Sequence, residues 1–122
     1  MSVVQDSVVQ DSFMTILHIA HASDWEHALE QGEYRVSTRD ATLDTVGFIH
    51  CSRGSQIYVV AAFVYADDPE PLVVLEIDES GLDVRDEDGG DGELFPHVYG
   101  PIPVANVTAV RPAQFDDGIF TF

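Results

Sequence analysis

Three short apolar runs, far apart along the chain, each carry a histidine: Leu17-His18-Ile19-Ala20-His21, Gly47-Phe48-Ile49-His50-Cys51-Ser52 and Phe95-Pro96-His97-Val98-Tyr99-Gly100. Runs this short, bounded by turn residues, read as strands. A strand that ends in a proton-exchanging side chain and a turn sets chemistry on a rigid edge, and imidazole is the group best suited to act near neutral pH. Three such edges predict one shared pocket.

The order of elements around these runs is that of an α+β domain. A strand over 15–20 leads into Ser23-Asp24-Trp25-Glu26, whose spacing matches a capping box, and the helix is expected over 24–31. Trp25, Ala28 and Leu29 fall on one of its faces, with Gly32 at the left-handed stop. Strands are expected over 33–37, 46–50, 72–77, 82–85, 95–99 and 107–111, and a second helix over 56–65 with Ser52 and Ser55 available as its caps. The run 86–92 reads as an acidic, glycine-rich loop, and 38–44 as a polar one. Helices early and strands late argue against a doubly wound parallel sheet and for a small, split, mostly antiparallel one with two helices.

The 122 residues suit one domain. Ser2-Val3-Val4-Gln5-Asp6 recurs at once as Ser7-Val8-Val9-Gln10-Asp11, and Met14 follows as an alternative initiator. The expectation is a disordered extension over 1–14 and a single globular domain over 15–122.

Charge narrows the partners. Twenty-two acidic residues face five basic ones, all arginine, for a formal net charge of -17. Such a field repels polyanions, which argues against nucleic acid and anionic membranes as partners and leaves room for a small ligand held by a local Arg. Cys51 is the only cysteine, which fits a reducing compartment, and no secretion signal opens the chain, so the cytoplasm is the expected location.

Each motif carries a structural alternative. His18 either donates to a ligand from the pocket floor or is a satisfied core histidine. Ser52 either lines the site or caps the helix. Cys51, beside His50 on a strand, points to the opposite face and reads as buried. His97 and Tyr99, two apart, share a face, and Glu93 is the nearest carboxylate upstream. His21 and His27 are weaker candidates, His27 as a solvated helix position. A metal site is not expected, because helical H-E-x-x-H and paired-cysteine spacings are absent and His18 and His21 face opposite ways.

The ordered strings Leu17-His18-Ile19-Ala20, Gly32-Glu33-Tyr34, Gly47-Phe48-Ile49-His50-Cys51-Ser52, Leu75-Glu76-Ile77-Asp78 and Gly92-Glu93-Leu94-Phe95-Pro96-His97-Val98-Tyr99-Gly100-Pro101 resemble the bacterial domain of unknown function 952 family from Thr15 to about Pro112. That family in turn resembles a compact ADP-ribosyltransferase-like fold, a split antiparallel sheet gripping NAD. By that resemblance His18 matches the first motif, His50 and Ser52 the second, and His97 the third, where Glu is usual. The substitution points away from ordinary protein ADP-ribosylation, while RNA phosphotransferases resemble this arrangement in lacking that Glu. The resemblance therefore implies an enzyme on NAD or a small nucleotide-like ligand. His18, His50 and His97 would be its catalytic residues, with His18, Ser52, Arg53 and Tyr99 beside the cofactor. The alternatives are a noncatalytic ligand-binding module and, third, a histidine metal site.

Overall fold

The computed structural model describes residues 14–122. The duplicated opening, and all of the expected extension but Met14, lie outside the described residues. Strand β1 (Thr15–His21) pairs antiparallel along its whole length with β4 (Leu72–Asp78), from Thr15 opposite Asp78 to His21 opposite Leu72. Both are rich in Ile, Leu and Val, the residues that pack well on a pleated surface. Strand β8 (Val107–Asp116) adds to the far side of β4 and turns through Asp117 and Gly118 into β9 (Ile119–Thr121), a strand with no counterpart in the sequence reading.

A second antiparallel sheet holds β3 (Ile49–His50), β6 (Leu94–Val98) and β5 (Val84–Asp88) in that order, and a two-stranded ribbon pairs β2 (Glu33–Tyr34) with β7 (Ile102–Pro103). One bridge stitches the two larger sheets together. The Leu17 amide donates to the Ser52 carbonyl at 2.8 Å and the Ser52 amide to the Leu17 carbonyl at 2.7 Å. The result is a curled, sheet-rich α+β structure, as expected at that level.

Because β1 and β4 are covered on both faces, the period-two alternation of a strand divides their side chains between two cores. Ile16, Ala20, Leu75 and Ile77 pack with Trp25 and Tyr34, and Ile19, Leu72 and Val74 pack with Ile57, Ala61 and Tyr65. The second helix thus covers one face, while the first helix and the small sheets cover the other.

Local chemistry explains where the elements depart from expectation. Helix α1 (Ala22–Gln31) starts two residues early, with His21 at its N-cap, so Ser23 lies inside the first turn and the capping box is not formed. The Ala22 amide is already bonded to the Pro71 carbonyl at 2.9 Å, which turns the chain before Ser23 is reached. Trp25 and Ala28 are buried, but Leu29 sits at the edge of that seam and is exposed. Gly32 stops the helix at φ 85°, as expected. A one-turn helix α2 (Leu43–Val46) replaces the end of the expected polar loop. Thr42 and Thr45 cap it reciprocally, with two hydroxyls doing what Ser and Glu usually do, and this helix shortens β3 to Ile49–His50.

Helix α3 (Gln56–Val60) widens into a π-helical turn (Ala61–Tyr65), so the expected helix over 56–65 stands. Its N-cap is Ser55, without a side-chain bond, and not Ser52; the Gln56 side chain accepts from the Arg53 amide instead. The acidic run is partly strand. Asp86, Glu87 and Asp88 pair with Pro96, Phe95 and Leu94, the neighbouring strand overriding poor intrinsic propensity, and only the turn at 89–93 remains of the loop.

Candidate functional site

His50 is held from both sides by backbone bonds. Its amide donates to Ser37 Oγ at 3.1 Å, and its carbonyl accepts from His18 Nδ1 at 2.7 Å. With Nδ1 of His18 the donor, Nε2 must accept, and the Tyr34 hydroxyl supplies the proton at 3.0 Å. Both nitrogens of His18 are thereby occupied. The ring is 3% exposed, and burial holds its pKa down at about 4, so it is uncharged.

The pairing of β3 with β6 sets His50 directly opposite His97. His50 Nδ1 lies 3.3 Å from His97 Nε2, and His97 Nδ1 lies 2.9 Å from Glu87 Oε1. The Tyr99 hydroxyl donates to the same oxygen at 2.6 Å, so His97 and Tyr99 do share a face. These two bonds hold the Glu87 carboxyl below the usual carboxylate range. An ionised Glu87 makes His97 Nδ1 a donor. In the tautomer in which His97 Nε2 accepts from His50 Nδ1, the lone pair of His50 Nε2 is left bare. That nitrogen has no partner among the described residues and is not sealed from solvent. Burial, and then the neighbouring His97, lower the His50 pKa to about 4. Phe48 stacks on His97 with centroids 4.1 Å apart at 15°, and Phe95 tilts against His50 at 5.1 Å.

His50 and His97 open on a cleft of about 550 Å³ lined by Phe48, Phe95, Phe63, the valines of helix α3 and its π-helical turn, and Asp88 and Asp91. Two of the three predicted histidines therefore converge on it. His18 and Ser52 do not: they line a recess of about 10 Å³ behind His50, too small for a ligand. Ser52 is buried. Tyr99 does not line the cleft and reaches it through Glu87 and through its ring contact with Phe48, centroids 5.6 Å apart. Arg53 is tied to Glu79 at 2.8 Å and Asp86 at 3.0 Å. Burial pushes the Cys51 thiol up, in keeping with a buried cysteine. His27 is exposed, and His21 is bound to Asp68 at 2.6 Å.

The sequence reading missed Glu87 and took Glu93 as the nearby carboxylate; Glu93 instead accepts from Gln56 Nε2. It also passed over Phe48, Phe63, Ser37 and Tyr34. Glu87 was findable only by pairing the acidic run against Phe95-Pro96-His97, which places positions 87 and 97 on one face as diagonal neighbours. Among the described residues no three His, Cys, Asp or Glu side chains are grouped to hold a metal ion. No helix is long and apolar enough to cross a membrane, again among the described residues.

The sequence pattern of the DUF952 proteins, described as proteins of unknown function, matches residues 19–110. The chain belongs to the DUF952 family. Its fold is shared with protein CC0527 from Caulobacter crescentus, whose crystal structure superposes on this DUF952 chain with a TM-score of 0.75 at 30% identity, covering 88% of this chain and 93% of that one. The solution NMR structure of CC0527 gives a TM-score of 0.70 at 31% identity, covering 87% and 90%. No curated protein matches this DUF952 chain.

Proposed function

We propose that the cleft binds a small nucleotide-like ligand by a planar ring and that His50 takes a proton from it or from a water it carries. The observation that carries this reading is the unbroken chain Tyr99, Glu87, His97, His50, which ends at an imidazole nitrogen with no partner among the described residues, in an aromatic-walled cleft. The ligand O–H would pass its proton to His50 Nε2 as the Nδ1 proton of His50 moves to His97 Nε2. The positive charge would then rest on His97 beside the Glu87 carboxylate. A proton acceptor placed in this way contributes about 10²- to 10⁴-fold to a rate. His18 clamps the His50 carbonyl and is, in this reading, a positioning residue.

The resemblance to ADP-ribosyltransferase-like folds makes NAD the first ligand to test, entering by its nicotinamide ring with its phosphates outside the cleft. The test is imidazole-resolved NMR of the whole chain titrated with NAD, ADP-ribose, adenosine and nicotinamide. At least one should shift His50 and His97 saturably, with affinity lowered about tenfold in His50→Gln. If none of the four moves either ring, or the variant binds as well as wild type, the reading fails.

A further inference from the structure

The charge of the ligand is written in where the cations are not. The chain has no lysine, and each of its five arginines is already paired. Arg35 holds Glu33 and Asp44, Arg39 holds Asp67 and Asp68, and Arg53 holds Glu79 and Asp86. Arg85 holds Asp83 and lies over the Tyr99 ring, and Arg111 holds Glu76. None of the five lines the cleft. A phosphate or carboxylate entering it would meet no positive side chain and would meet two aspartates among its lining residues.

Those aspartates are fixed in place. Asp88 Oδ1 accepts from the amides of Gly90 at 2.7 Å and Gly92 at 2.9 Å, and Asp91 Oδ1 from the amide of Glu93 at 3.2 Å. The amides that bind Asp88 hold its carboxyl below the usual range, so the charge is present at neutral pH. Phe63, which lines the same cleft, is 84% exposed on the π-helical turn, an aromatic face that no neighbouring core covers. Aromatic faces with carboxylates beside them and an uncharged imidazole behind attract a desolvated cation and offer an anion nothing.

Resting on the reading of the cleft as a ligand site, we propose that the group it binds is an organic cation, a positively charged planar nitrogen heterocycle. The aromatic walls would take the delocalised charge, and Asp88 and Asp91 would neutralise it. His50 Nε2 would accept a hydrogen bond from an amide or hydroxyl carried on the same ring.

Three probes of nearly equal size separate charge from shape: ring-N-methylated nicotinamide, a pyridinium cation; nicotinamide, which is neutral; and nicotinate, an anion. Calorimetric titration of the whole chain should give the cation about tenfold or greater preference over nicotinamide, with nicotinate weakest. The preference should shrink with added salt on the wild type, a measurement that needs no variant. It should also shrink in the Asp88→Asn, Asp91→Asn double variant, whose amide oxygens keep the turn bonds. Phe63→Ala, at a position that supports no core, should weaken the cation more than nicotinamide. Equal affinity for cation and neutral probe, tighter binding of nicotinate, or no binding of the cation would each overturn the proposal. The first of these, with His50 still shifting on titration, would leave the proton-transfer reading standing while removing the charge preference.

Discussion

Both ring nitrogens of His18 are occupied by protein partners, and that has a measurable consequence in acid. Its folded pKa of about 4 lies below the value near 6.5 of an exposed imidazole. Below the higher value the unfolded chain takes up a proton that the folded one refuses. Stability contributed by neutral His18 is therefore complete above about pH 6.5 and is lost as pH falls towards 4, by about 3 kcal/mol in all. Urea unfolding of wild type and His18→Asn across this window should show their stability difference narrowing by about that amount. A difference that stays constant with pH would contradict the buried, neutral assignment. His18, His50 and His97 were all visible in the sequence, because an imidazole inside an apolar run stands out. Glu87 was not, because it sits among Asp83, Asp86, Asp88 and Asp91, and nothing about its chemistry separates it from them until the β5 to β6 register is known.

The turn that joins β5 to β6 shows how tightly backbone and cleft are coupled. A methyl group on Gly89 would come within 2.5 Å of a ring carbon of Phe95, which packs on His50 and forms a wall of the cleft. Gly89→Ala is expected to displace that ring, costing about 1–3 kcal/mol and shifting the His50 resonances while the rest of the spectrum holds. Thermal melting together with NMR of the variant would check it; an unmoved His50 would show that Phe95 has room to yield. Strands β1 and β4, the helix stop at Gly32 and helix α3 were legible from periodicity and glycine chemistry. The start of α1 was not, because His21 and the Ala22 amide are engaged by Asp68 and Pro71, residues far away in sequence. Helix α2 escaped because a threonine stood in both capping positions.

Taken as one body, the domain carries far more like charge than its arginines can pair. At a formal net charge of -17, with each arginine already committed, screening should relieve more repulsion than it costs in ion pairs. Raising NaCl from about 0.05 to about 0.5 M should lift the melting temperature by about 5 °C, equivalent to about 1 kcal/mol. A fall over that range would mean that the paired arginines outweigh the surplus acids. The α+β class was legible at this level from the order of elements. The point at which the two larger sheets join was not: it depends on the Leu17 to Ser52 bridge, which no local pattern announces.

The contacts that build the cleft span 32 residues from His18 to His50 and 47 from His50 to His97. His50 therefore gains its His97 partner only when β6 has paired with β3. On the reading of the cleft as a ligand site, its occupant would recognise only copies in which these distant segments have met, and would protect that population against unfolding.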